Sequence, residues 1–182
     1  MEGLALVRVR CVVAVIGNGG GGKSTLARAV GEQLGLRVFE VDSVQWLPGW
    51  RRAPIADVSR ELAAWAARDA WIIDGFGPPP VIEARFDRAD TIVYVDLPFR
   101  THIWWAAKRQ VASWLSGRAW AGQRRPPPSR LLFNTLVRVD RMRLALYESM
   151  TSYGRAAKLV HLRSPRAMRE WLATIGARPA NG

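Results

Sequence analysis

Lys23 and Ser24 close an eight-residue run, Gly17-Asn18-Gly19-Gly20-Gly21-Gly22-Lys23-Ser24, that fits the pattern G-x-x-x-x-G-K-[ST]. Each residue type has a task there. Glycines let the backbone curl so that successive N–H groups form an anion-binding nest. A helix starting at Lys23 would aim its positive dipole end at the same point. Lys23 adds a full charge near the β- and γ-phosphates, and the Ser24 hydroxyl suits Mg²⁺. Gly19 to Gly22 leave no side chain to obstruct a polyphosphate. Gly17 to Thr25 are therefore the candidate nucleoside triphosphate site.

Other residues could complete such a site. Asp74 ends the apolar run Trp71-Ile72-Ile73 and could hold Mg²⁺ through water. Asp96, ending Ile92-Val93-Tyr94-Val95, is its rival. Asp42 could bind an acceptor hydroxyl and take its proton, or bind Mg²⁺ indirectly, with Trp46 and Trp50 as apolar or stacking walls. Arg118, Arg124 and Arg125 lie on a Gly- and Pro-flanked stretch. Arginines there could close over a transferring phosphoryl group, neutralise its charge and exclude water. Arg130, Arg138 and Arg141 recur near helical spacing, so the basic segment 130–143 is a candidate nucleic-acid contact. His102 and His161 stand alone in sequence. No Cys–His or Ser–His–Asp pattern and no zinc spacing occurs.

These residues need strands and helices to carry them. Cys11 to Ile16 reads as a buried strand and Lys23 to Leu34 as a helix. Further strands are expected at Leu36–Val41, Ala70–Ile73, Thr91–Val95 and Lys158–Leu162. The stripe Ile55, Val58, Leu62, Trp65 predicts a helix after Pro54. Val81–Asp87 could hold a helical turn. Helices are expected over Thr101–Leu115, Arg130–Ser152 and Pro165–Ile175. Strands alternating with helices imply an α/β fold, a parallel sheet covered on both faces. Ligands bind beyond the carboxyl ends of such strands, where Gly17, Asp42, Asp74 and Asp96 all fall.

The bulk properties agree. A chain of 182 residues is expected to form one domain. Its 49% apolar content argues against disorder. A single cysteine excludes a disulfide framework or cysteine metal cluster and suggests a reducing cytoplasm. No export signal and no apolar run of about 18 residues is evident. The net charge of +12 favours anionic partners, nucleotides or nucleic acid, although Arg-rich, Ala-rich composition accounts for it equally well.

Taken together, the glycine-rich run, Asp42 with Trp46-Leu47-Pro48-Gly49-Trp50, Trp71-Ile72-Ile73-Asp74-Gly75 and Ala89-Asp90-Thr91 through Asp96-Leu97-Pro98 resemble the proteins labelled DNA topology modulation proteins. Those are relatives of adenylate kinase among the P-loop nucleoside and shikimate-type kinases. The resemblance spans about Val12 to Arg109. It implies a P-loop three-layer αβα fold with a five-stranded sheet of order 2-3-1-4-5. It also implies an acceptor-side segment near 43–69, an Arg-bearing lid near 117–129, and ATP with Mg²⁺. Asp74 then occupies the Asp of an Asp-Gly-Phe-Pro-Arg motif, but Gly77 and Pro78 follow Phe76 and the Arg is missing. AMP is thus a doubtful acceptor, and Arg85 could substitute for the missing Arg. Arg163-Ser164-Pro165 falls where that fold places adenine.

The expectation is an ATP- and Mg²⁺-dependent phosphotransferase with Lys23, Asp42 and Arg118, Arg124 and Arg125 at the chemistry. The alternative is a nucleotide-dependent regulator that binds nucleic acid. A GTPase ranks lower because no Asn-Lys-x-Asp motif is present.

Overall fold

In the computed structural model, the described residues are 11–116, 119–120, 123–124 and 130–176. Strand β1 (Val12–Gly17) is buried along its whole length, as a strand covered on both faces must be. Its alternation sorts the core. Val12, Ala14 and Ile16 face one layer, Val13 and Val15 the other. On the first side pack α3 (Ile55–Ala66), α4 (Pro79–Arg88) and α7 (Arg143–Tyr153), through Val58, Leu62, Trp65, Ile82, Phe86, Leu146 and Met150. On the second pack α1 (Lys23–Leu34) and α8 (Pro165–Gly176), through Leu26, Ala27, Val30 and Met168.

The sheet contains β2 (Val38–Glu40), β5 (Trp71–Asp74), β1, β6 (Thr91–Val95) and β9 (Lys158–Leu162), in the order β2-β5-β1-β6-β9, all parallel. Numbered as five principal strands, this is the expected order 2-3-1-4-5. The register sets Val15 beside Asp74 and Gly17 beside Val95. It therefore brings the strand ends carrying Gly17, Asp74 and Asp96 to one edge.

Several elements differ from expectation. Helix α2 (Asp42–Gln45) follows β2, and the turn-rich loop after it is a small hairpin. Its strands are β3 (Trp46–Leu47) and β4 (Arg51–Arg52), joined by a 3-10 turn, Pro48–Trp50. Ile55 opens α3 but is 72% exposed, so the apolar stripe starts in practice at Val58. The expected helical turn near Val81 is a full helix, α4, because Pro79 and Pro80 fit its first turn, where an N–H has no intrahelical partner.

After α5 (Phe99–Ser116) a second hairpin pairs β7 (Ala119–Trp120) with β8 (Gln123–Arg124). The long helix expected over 130–152 is two, α6 (Arg130–Arg141) and α7, interrupted at Met142 with ψ 4°. Among the described residues, no helix is long and apolar enough to cross a membrane.

Candidate active site

The phosphate loop joins β1 to α1. Gly20 (φ 74°) and Gly22 (φ 77°) both occupy the left-handed region, which side-chain-bearing residues adopt at a cost. Gly22 is the N-cap, so the amides of α1's first turn point into the loop. Lys23 folds back and its Nζ donates to the Asn18 carbonyl at 2.9 Å. Burial pushes the Lys23 pKa down; attraction from Asp74 and then Asp42 opposes that shift, and Arg109 adds to it. Four of the chain's charged groups thus share one space.

Asp74 is 4% exposed at the end of β5. Burial pushes its carboxyl up, while Lys23 and a hydrogen bond from the Ser24 hydroxyl pull it down. Its Oδ1 is buried without a hydrogen-bond partner. An orphaned carboxylate oxygen beside a serine hydroxyl fits a hydrated Mg²⁺, which keeps most of its waters and takes few protein ligands. Among the described residues no group of three or more His, Cys, Asp or Glu could hold a metal, so a site here would lean on Ser24, Asp74 and phosphate oxygens.

Asp96 is engaged differently. Arg143 Nε and Nη2 donate to its two oxygens, each at 2.8 Å, and His161 Nε2 donates to Oδ2 at 2.9 Å. Burial pushes the Asp96 carboxyl up, but these hydrogen bonds outweigh it and hold the carboxyl below its ordinary value. Tyr94 stacks on His161 with ring centroids 5.0 Å apart, and burial with the nearby Asp96 pushes its hydroxyl up to about 12. Both Asp96 oxygens are occupied by protein, whereas Asp74 keeps one open.

Asp42 opens α2, exposed at the rim, one residue after Val41, whose N–H donates to the Asp74 carbonyl. The hairpin beside it sets Trp46 and Trp50 edge to face, centroids 6.0 Å apart, with the Arg52 guanidinium 5.5 Å from the Trp46 ring. Trp50 has φ 60°, unusual for a bulky residue and a mark of local strain.

Arg85, expected as a substitute for the missing acceptor arginine, is buried, with Nε and Nη1 left without a partner. It is 1% exposed and its Nη2 donates to the Gly75 carbonyl at 2.9 Å, sealing it beneath the loop after β5. Burial brings its pKa down to about 10, against the attraction of Asp74, so it stays charged near neutrality.

Sequence reasoning passed over two α5 residues. Arg109 reaches the site from α5. The protein packed around its head lowers its pKa, though part of the side chain stays open to solvent, and Asp42 and Asp74 both attract it. His102, 2% exposed, donates from Nδ1 to the Gly19 carbonyl at 3.0 Å. Their helical register with Trp105 was legible; the face of α5 that docks was not.

A cleft of about 360 Å³ is lined by Trp105, Lys108, Arg109 and Ala112. Trp105 and Met168 both approach Gly22, so the cleft lies beside the end of the phosphate loop. Pro165 begins α8, and Arg163 is exposed just before it. Arg124 falls on β8. Arg118 and Arg125 lie outside the described residues. The Asn18 side chain is held by two hydrogen bonds within the protein. Its amide donates to the Leu136 carbonyl at 2.9 Å, and its Oδ1 accepts from the Gly19 N–H at 2.7 Å.

No family model matches the sequence, and no curated protein does. Solved structures do. A shikimate kinase from Acinetobacter baumannii in complex with shikimate has a TM-score of 0.61 at 15% identity, covering 90% of this chain and 89% of the other. A gluconokinase from Sinorhizobium meliloti 1021 has a TM-score of 0.52 at 19% identity, covering 92% and 93%. A sugar kinase from Janibacter sp. HTCC2649 has 0.53 at 19%, covering 92% and 95%. At such identities the likeness speaks to the fold alone: the chain has the α/β fold of the P-loop small-molecule kinases, with its five-stranded parallel sheet.

Proposed function

We propose that this chain is an ATP- and Mg²⁺-dependent phosphotransferase that acts on a small-molecule or nucleotide acceptor. The observation that carries this reading is the convergence of Lys23, Asp74, Asp42 and Arg109 at one edge of the sheet, with a buried Asp74 oxygen left without a partner. That union sets a phosphate-binding half beside an exposed carboxylate and an aromatic, Arg-bearing hairpin. The structural neighbours named above as shikimate kinase, gluconokinase and sugar kinase support a hydroxyl acceptor.

The chain's residues then divide the work. Lys23 and the loop amides hold the β- and γ-phosphates. Ser24 and Asp74 would hold Mg²⁺, which when bound would supply neutralisation of phosphate charge. Asp42 accepts the acceptor hydroxyl's proton as its oxygen bonds to the γ-phosphorus and the bond to the ADP oxygen breaks. Arg109 neutralises charge on the transferring group, with Arg118, Arg124 and Arg125 as further donors. The cleft at Trp105 gives the nucleoside room beside the loop, and Arg163 and Pro165 are assigned to the nucleoside's base.

The test is a screen of nucleotides, nucleosides, sugar acids and small alcohols as acceptors, read as ADP release with ATP and Mg²⁺. Lys23→Ala is expected to abolish turnover and leave the circular dichroism spectrum unchanged. Wild-type turnover in that variant sinks the assignment.

A second reading has its own observation. Arg130, Arg138 and Arg141 are exposed on or at the end of α6. They suit a nucleic-acid backbone, as the finer resemblance to DNA topology modulation proteins suggests. Binding to duplex DNA that weakens steeply with salt supports it; no binding at low salt removes it.

A further inference from the structure

A loop that turns its N–H groups inward must turn its carbonyls outward, and each buried outward carbonyl needs a donor. In this chain α5 supplies one. His102 Nδ1 donates to the Gly19 carbonyl at 3.0 Å, and the side chain is buried. The contact is close enough to dictate sequence. A Cβ at Gly20 would lie 2.5 Å from the His102 carbonyl oxygen and 2.9 Å from the Ala106 Cβ. A Cβ at Gly21 would lie 2.6 Å from His102 Cε1. The glycines at 20 and 21 therefore serve the helix behind the loop as well as any phosphate in front of it. Asn18 ties the same loop to α6 through the Leu136 carbonyl.

We propose that His102 is a positioning residue that fixes the phosphate loop from behind. It holds the Gly19 carbonyl outward so that the amides of Gly20 to Ser24 face the phosphates. This rests on the nucleotide-binding reading above. His102 touches no reacting atom. It acts through Gly19, and the geometry requires a proton on Nδ1. Burial pushes the His102 pKa down, with Lys23 adding to that, so the neutral form prevails near neutrality.

The experiment uses the full chain with Mg²⁺ and ADP in calorimetry, on wild type, His102→Asn and His102→Leu. Asparagine's amide can donate where Nδ1 does; leucine fills the space without a donor. His102→Asn is expected to bind ADP within about threefold of wild type. His102→Leu is expected to bind about tenfold more weakly, since a part-buried carbonyl left without its donor costs on that scale and the loop loses a tie. Equal binding by His102→Leu and wild type overturns the proposal, as does equal weakening in both variants.

Should His102→Leu fail to fold, long-range ¹H–¹⁵N spectra of the wild type decide. An Nδ1–H tautomer at His102 is expected, and an Nε2–H tautomer overturns the proposal. Absence of ADP binding by wild type removes the nucleotide reading, and the positioning role with it. Wild-type binding with an unaffected leucine variant removes the positioning role alone.

Discussion

The Ser24 hydroxyl favours the ionised form of the Asp74 carboxylate, coupling the first turn of α1 to the end of β5. Burial still outweighs the Lys23 charge and the Ser24 hydroxyl, so Asp74 ionises less readily in the folded chain than in the unfolded one. A carboxyl with a raised folded pKa costs stability once the pH exceeds its unfolded value near 3.9. Asp74→Asn removes that cost. We expect a melting temperature a few degrees above wild type at pH 7, together with a loss of phosphotransfer of at least about a hundredfold. Differential scanning calorimetry and the ADP-release assay check the pair. An equal or lower melting temperature contradicts the burial argument.

On the proposed reading, Asp42 belongs to the acceptor half of the site. Asp42→Asn should leave ADP affinity within about twofold and lower kcat by about a hundredfold or more, since general-base contributions are of that size. Trp46→Ala should instead raise the acceptor KM with the ATP KM unchanged. Steady-state kinetics with both substrates varied distinguishes these patterns. A rise in ATP KM for either variant would contradict the assignment of sides.

Asp96 has the opposite titration sense to Asp74. Its carboxyl is held low by Arg143 and His161 despite burial. A depressed carboxyl contributes stability above its unfolded value near 3.9 and loses it as the pH falls through the folded pKa. Asp96→Asn should therefore lower stability at pH 7 and flatten its acid dependence below about pH 4. Urea unfolding at a series of pH values reads both. ADP binding should persist, because both Asp96 oxygens are already engaged by Arg143 and His161.

His102 adds a component at higher pH. Its folded pKa lies below the unfolded value near 6.5, so the unfolded chain binds more protons there. Stability should fall as the pH drops below about 6.5, and His102→Asn should remove that part of the slope. An unchanged slope in the same urea series would show that His102 is not the group responsible.

The sequence disclosed what depends on local pattern. Val12 to Ile16 and Ile92 to Val95 are apolar runs because both faces of those strands are covered, and they were legible for that reason. The glycine run with Lys23 and Ser24 announced the phosphate loop, and strand ends announced Asp42 and Asp74. What stayed hidden depends on long-range docking. Strands of two residues at Trp46–Leu47 and Arg51–Arg52 carry no periodicity to detect. The break at Met142 has no glycine or proline to mark it. It coincides with Arg143 turning to Asp96, a contact 47 residues away in sequence. His102 looked isolated because its partner, Gly19, is 83 residues distant.

Those separations bear on how the chain acquires its site. Asn18 meets Leu136 across 118 residues, and Gly19 meets His102 across 83. Closing such spans is entropically costly and slow relative to local helix formation. The glycine-rich motif is made first, near the start of the chain, yet the loop takes its final shape only after α5 and α6 have docked. A nascent chain that ends before Leu136 carries every residue of the motif and still lacks one of the two ties that shape it. On the proposed reading, nucleotide affinity should then be acquired late in folding, and its time course should report the arrival of the C-terminal half.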